Sequence, residues 1–598
     1  MPSSFAYQSN SGSKLQPAAP AIAASMAIAA IISFTFLFAG FAQFDDVTYA
    51  WATRRLSEGA VLHRDLVWAH PGYAQVLDVW FGKYLIADIG RFRWHLPVLA
   101  ALTAGSAAYL LRAKGFAIQC IAAAAIAGLG FAQFSTPSSS WFAVTFAAVS
   151  AALAWAAAGT SRPSRAQMLA FASGSLAALS FGSRTINGVA AVAVLLMLLA
   201  QTSRTGEQTR RTPWLPLGAC AVLLMVCAIV VYSINETTKL YLAAPLLVAT
   251  LGSCLTVWRN RNEFASRLYL CSGLGWVAGI APLVLWWLHD GVLMKAFADI
   301  TTFASSYNQW QSARAANIED LLSTSLEIVN YRHGINPANA LNLLWLLIAA
   351  LTPALLIVMG RREKFSDPMW LLAASMLFGI FSYPGLLYFP YTTPFLICAF
   401  LAWSRNRQTV FAGSLVLALV AGALFVSPRG LYPGSSGESL VGGRLDAARC
   451  DLPKCSVYAH KPELDNLKYE YSQLASHVPA GRPLAVLPTI SILGFFLPNP
   501  SPWHLPKIDR WTPPREVERF QREFERQGNA VIATRRDQYG EAAPVVSRYC
   551  VAGSTAEWVF LTTCDATRRC QASTTVRWDA AVGQSVIADS FCARPPRL

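Results

Sequence analysis

Long apolar runs alternate with short polar connections over the first 426 residues. The runs fall at 22–41, 96–111, 116–134, 141–158, 168–181, 189–200, 217–232, 240–257, 268–288, 341–359, 369–383, 386–403 and 410–426. A helix needs roughly 20 apolar residues to cross a hydrocarbon core upright. The shorter runs fall below that, which leaves individual ends open and allows one re-entrant pair. Every second connection is basic: "LRAKG" from Leu111, "SRPSR" from Ser161, "SRTGEQTRR" from Ser203, "RNRNEFASR" from Arg259, "GRREK" from Gly360 and "SRNR" from Ser404. Cytoplasmic loops carry the excess of Lys and Arg. The pattern predicts about thirteen transmembrane helices, a cytoplasmic N-terminal tail over 1–20, a transmembrane domain over 21–426 and an extracytoplasmic segment over 427–598.

The first run has the alternative of being a signal peptide. Only Lys14 lies ahead of it as a basic residue, and no small-residue cleavage site follows, so a membrane helix is expected. Two outer connections are long, 44–94 and 289–339, and long loops on a membrane scaffold usually carry function. The first opens on "DDVTYAWATRRLSEG", passes through "LHRDLVWAHPGY", and continues as "AQVLDVWFGKYLIADIG", which reads as a helix lying on the membrane surface. The second contains Lys295, Tyr307 and Trp310, which are expected to be packing residues.

Composition agrees with this class. Hydrophobic residues make up 54% of the 598, charged ones 14%, and the mean hydropathy is +0.38. The net charge of +15 is no sign of a nucleic-acid partner, because the basic residues sit in the loops assigned to the cytoplasm. Of twelve cysteines, six lie in apolar runs and read as small hydrophobes. The other six, Cys450, Cys455, Cys550, Cys564, Cys570 and Cys592, lie in the tail. Outside the cell such a set suggests disulfides; the alternative, a zinc site, would want tighter pairs than "CDLPKC" and "CDATRRC". Within the tail, "PLAVLPT" and "NAVIAT" read as buried strands flanking the amphipathic helix "PREVERFQREFERQ", a small α/β domain expected to shape a site rather than perform chemistry.

The order of features in the first loop resembles a known family. An apolar span, Asp-Asp-x-x-Tyr, "ATRRLSEGAVLHRDL", "HPG", a surface helix and an Arg before the second span is similar to the GT-C membrane glycosyltransferases, in the branch of protein O-mannosyltransferases and the lipid A aminoarabinose transferase. "GSLAALSFGSRTING" and the tail's "VLPTISILGFFLPNPSP" extend the likeness. Asp46 stands where the family has Glu, Arg184 where it has Lys, and Gly72 where it has the second Pro of the turn. The last change puts in question how rigidly His70 is held.

The resemblance implies a polytopic α-helical protein of the bacterial inner membrane that moves a sugar from a polyprenyl phosphate to a glycan, lipid or protein acceptor. Such a reaction needs a carboxylate to take the acceptor's proton and a cation beside the leaving phosphate. Asp45 is the expected base, with an interfacial helix cap as the plain alternative. Asp46 is expected to position the acceptor or a neighbouring Arg, Arg93 and Arg184 to meet phosphate, His70 to bind phosphate or steady a turn, and Tyr49 to line the substrate site. No cofactor is expected beyond the donor, and no metal, although the acids of the first loop leave a divalent ion open. The competing readings are a transporter or flippase of a lipid-linked saccharide and a noncatalytic envelope-assembly subunit.

Overall fold

A computed structural model describes residues 18–39, 45–82, 88–199, 263–303, 367–381, 389–404, 407–426, 447–487, 492–505, 514–546, 548–563, 575–579 and 584–588, with a few isolated positions between them. The runs expected at 217–232, 240–257 and 341–359 lie mostly or wholly outside these residues. So do Tyr307, Trp310 and the linker at 427–446.

The apolar runs become helices: α1 (Ala18–Thr35), then, beyond the first outer loop, α5 (Leu96–Leu110), α6 (Phe116–Ile126), α7 (Ser139–Gly159), α8 (Pro163–Ser183) and α9 (Thr185–Leu199). The first outer loop holds α2 (Asp45–Ser57), α3 (Tyr73–Gly82) and α4 (Ile89–Phe92). Further along come α10 (Glu263–His289), α11 (Leu293–Ala298), α12 (Pro368–Phe381), α13 (Phe389–Trp403) and α14 (Arg407–Val426). Among the described residues two helices, Ser139–Gly159 and Phe264–His289, are long and apolar enough to cross a membrane; Ala19–Thr35, Phe116–Phe131, Asn187–Leu199, Pro390–Trp403 and Val410–Gly422 are shorter apolar helices.

The bundle is apolar on its outside. Ile31, Val98, Met168, Leu274, Val277, Val410 and Phe411 are exposed, whereas alanines and serines such as Ala104, Ala147, Ala177, Ser150 and Ser173 are buried. A water-facing surface of that kind would be costly, and small residues at helix contacts are what lipid-embedded bundles use to bring backbones together. The α8–α10 contact shows the reason. A Cβ on Gly174 would strike the backbone of Ser272, and one on Gly275 that of Phe171, so the two helices meet backbone to backbone.

The tail forms a separate layer, opened by a short antiparallel pair, β1 (Ala447–Arg449) and β2 (Tyr458–His460). Strand β3 (Leu484–Leu487) runs parallel to β4 (Val531–Arg535), and the amphipathic helix Pro514–Gln527 makes the crossover between them, as the sequence predicts. Strands β5 (Cys550–Ser554) and β6 (Trp558–Thr562) complete an order β3-β4-β6-β5, with β6 antiparallel to both neighbours. Cys450 and Cys455 form a disulfide, and Cys550 is disulfide-bonded as well.

This layer sits on the first outer loop. Trp51, Leu62, Leu66, Trp68, Ile89 and Phe92 share one apolar core with Val457, Leu464, Leu493, Phe496 and Phe560. Backbone bonds stitch the two together: Val67 donates to the His504 carbonyl at 2.9 Å, Ile89 to Lys454 at 3.1 Å and Tyr458 to Phe38 at 2.8 Å. Ser456 also bonds the Asp88 carboxylate that caps α4.

Candidate active site

Helix α1 packs antiparallel to α5 and α7 antiparallel to α8, while α5 and α7 run the same way, so four helix ends gather at one face of the bundle. The end of α1, the start of α5, the start of α7 and the end of α8 meet there, beneath α2 and α3. The expected site residues fall into two groups at this face.

The first group is Asp46 with Arg93. Asp46 is the second residue of α2, and Arg93 lies in the single 3₁₀ turn that joins α4 to α5. Both side chains are fully buried, and the guanidinium donates to the Asp46 carboxylate, to the Leu37 carbonyl at 3.0 Å and to the Ala39 carbonyl at 3.4 Å. The pair therefore ties the end of α1, the start of α2 and the start of α5 together. Arg93, expected to meet phosphate, has three protein acceptors around it and no solvent exposure in this structure. Asp46, expected to position the acceptor or a neighbouring Arg, is paired with Arg93. Asp45 opens α2; its side chain lies outside the described residues.

The second group is His70 with Arg184. Arg184 follows the last residue of α8, is nearly buried, and donates to Ser140 Oγ in the first turn of α7. Burial and the positive charge of Arg184 push the imidazole of His70 down to about 3. His70 is accordingly neutral at physiological pH and offers a single N–H and a lone pair, not a cation. Tyr49, one helical turn after Asp45, meets Trp68 edge to face at 5.8 Å, and Trp68 meets His70 in the same way at 6.5 Å. An aromatic series thus runs from α2 to the turn that carries His70.

That turn is held on both sides. Gly72 has φ of +116°, and a Cβ there would strike Leu62, so glycine is required. Next to it the Tyr73 hydroxyl donates to the Gly279 carbonyl at 2.5 Å and accepts from Leu283 N–H at 3.3 Å. The hydroxyl has inserted itself into a helical bond of α10 beside Pro282, a common origin of a helix kink.

Helix α3 bridges the two groups. Gln75 donates to Ser139 Oγ at 3.1 Å, beside the Ser140 that receives Arg184. Three residues on, Asp78 is buried with His95, their nearest oxygen and nitrogen 3.6 Å apart, too long for a hydrogen bond. Burial raises the Asp78 carboxyl well above the usual carboxylate range and pushes His95 down to about 3, so His95 is neutral at physiological pH. His95 stacks on Phe142 of α7 at 5.1 Å.

No family model matches the sequence, and no curated protein does. Solved structures do. The archaeal oligosaccharyltransferase AglB from Archaeoglobus fulgidus, in complex with an inhibitory peptide and a dolichol-phosphate, is similar over 96% of this chain and 75% of its own, at 12% identity and a TM-score of 0.39. ArnT from Cupriavidus metallidurans bound to undecaprenyl phosphate is similar over 92% of this chain and 99% of its own, at 13% identity and a TM-score of 0.34.

Several site residues carry no motif of their own. Ser139 and Ser140 belong to "FSTPSSSW", a hydroxyl-rich interruption between two apolar runs whose Ser135, Thr136, Ser138, Ser139 and Ser140 are all buried. Polar residues packed between spans were the available signal. Asp78 sits in a stretch whose alternation reads as a surface helix, which hides that its carboxyl points inward; Trp80, two residues later, is 78% exposed.

Proposed function

We propose that the chain is a membrane glycosyltransferase that moves a sugar from a polyprenyl-phosphate donor to a hydroxyl of an envelope glycan, lipid or protein acceptor at the outer face of the bacterial inner membrane. The observation that carries the reading is the separation of the two adjacent acids. Asp46 is bound into the scaffold by Arg93, while Asp45 stands one turn before Tyr49, whose ring leads through Trp68 to His70. The reading takes Asp45 as the acid and Arg184 as the cation of one site.

In the proposed reaction the acceptor oxygen attacks the anomeric carbon as the bond to the lipid phosphate breaks. Asp45 takes the hydroxyl proton, and the electron pair of the broken bond leaves on the phosphate. Arg184 steadies that charge through its fork of donors, and neutral His70 adds one hydrogen bond to a phosphate oxygen. The reading assigns no step to a metal ion.

The deciding measurement is turnover of a polyprenyl-phosphate sugar by purified protein in nanodiscs, with donor binding followed separately. Asp45→Asn is nearly isosteric and removes only the proton acceptor, so transfer should fall on the order of 100-fold with donor binding retained. Native turnover by Asp45→Asn would sink the assignment of the base.

A further inference from the structure

The turn that carries His70 has glycine where a second proline would have stiffened it, yet the structure holds it through a residue 236 positions from its partner. His63 is fully buried, with Nδ1 3.2 Å from the Asp299 carboxylate and Nε2 3.5 Å from the Pro71 carbonyl. Its backbone lies at φ +67°, the left-handed region that side chains other than glycine seldom enter. A closed turn keeps it there: His63 N–H donates to Leu66 O at 2.8 Å, and the Asp65 carboxylate accepts from Val61 N–H at 2.8 Å. Trp287 of α10 covers the ring edge-on at 5.7 Å.

Asp299 belongs to the other long outer loop, at the start of a π turn over Asp299–Phe303 that follows α11. Single π turns inside helices are frequent at functional sites. The same loop sends Lys295 to the Arg64 carbonyl at 3.2 Å, and Arg519 of the tail reaches that carbonyl at 2.8 Å. Three separate parts of the chain thus converge on the short turn around His63, and His63 passes the contact on to Pro71. Its two ring nitrogens face oxygen atoms of different segments, so the imidazole bridges Asp299 of the second loop and the turn that carries His70.

We propose that His63, held by Asp299, is a positioning residue for the His70–Pro71–Gly72 turn and fixes His70 beside Arg184 for the donor phosphate. The proposal rests on the reading of His70 and Arg184 as the donor end of the site. Strain at a left-handed residue persists where the surroundings over-determine it, which is the condition met here. The latch also makes the second outer loop a contributor to donor binding without touching the donor.

Glycine adopts φ +67° without strain, so His63→Gly deletes the imidazole and leaves the backbone path intact. Full-length His63→Gly, Asp299→Asn and the double variant are compared in nanodiscs. Each single variant should raise the KM for a polyprenyl-phosphate sugar by about tenfold with kcat within about twofold. The double variant should be no worse than the singles, since both remove one latch. Hydrogen exchange over 61–73, followed by mass spectrometry, should quicken about tenfold in all three while β4 keeps its native rate. Native exchange over 61–73 in His63→Gly overturns the latch. Faster exchange with an unchanged donor KM overturns its role in donor binding. Should the native chain transfer no such sugar, the functional reading falls, and the exchange comparison still decides the latch.

Discussion

Asp46 and Arg93 form an ion pair in which neither side chain reaches solvent. Removing one partner of such a pair strands the other as an uncompensated charge, at a cost of about 3–5 kcal/mol. Arg93→Ala should therefore lower the unfolding temperature in detergent markedly. The double variant Asp46→Leu with Arg93→Met should recover much of the loss, since apolar groups can replace a buried pair. Thermal scans of the three proteins check this, and an Arg93→Ala protein as stable as the native one would return Arg93 to a ligand-facing role.

Arg184 bonds Ser140 and depresses His70. Arg184→Ala should cut donor use severely, and Arg184→Lys should retain part of it, because the charge survives while the fork of donors does not. Titrating His70 by NMR adds a second readout: its pKa should rise in Arg184→Ala, although burial, the larger cause, keeps it below 6.5.

The pH dependence follows from neutral buried groups. His70 and His95 are both held near 3 in the folded chain against 6.5 when exposed. Above pH 6.5 neither state binds the proton, so the histidines leave stability unchanged there. As pH falls from 6.5 towards 3 the unfolded chain gains protons that the folded chain refuses, and stability declines. Asp78 acts in the opposite sense: burial raises its carboxyl in the fold above its unfolded value of 3.8, so stability falls as pH rises from 3.8 towards that raised value. Asp78→Asn should hence raise the unfolding temperature at pH 7, and a fall on this substitution would mean that the carboxyl is needed in its own right.

Topology is open to chemical labelling. A cysteine at exposed Ser472 in the tail should react with an impermeant maleimide in spheroplasts, and one at exposed Ser161, in the loop between α7 and α8, only after permeabilisation. The reverse pattern would invert every assignment of sides.

The parts legible in the sequence are those written locally. The apolar runs, the helix after the paired acids, the turn at Gly72 and the β3–helix–β4 crossover all follow from residues within a few positions of one another. The pairing of side chains is another matter. Arg93 sits just before a span, where a snorkelling or phosphate-facing guanidinium looks the same as a buried one until α1 turns the carbonyls of Leu37 and Ala39 towards it. His63 carries no signal at all, because its partner lies 236 residues on in a loop whose other polar residues read as packing. Depth is equally hidden: the helical spacing of Asp78 is that of a surface residue, and only its contact with His95 beneath α3 shows otherwise.

The docking of the tail onto the first outer loop sets an order of assembly. Residues 45–92 leave the ribosome early, but their apolar face, with Trp51, Leu66 and Trp68, is covered only when Val457, Phe496 and Phe560 arrive. For most of synthesis the half-built site stands uncovered, a target for folding helpers. Chains that stop before the tail would lack a finished centre.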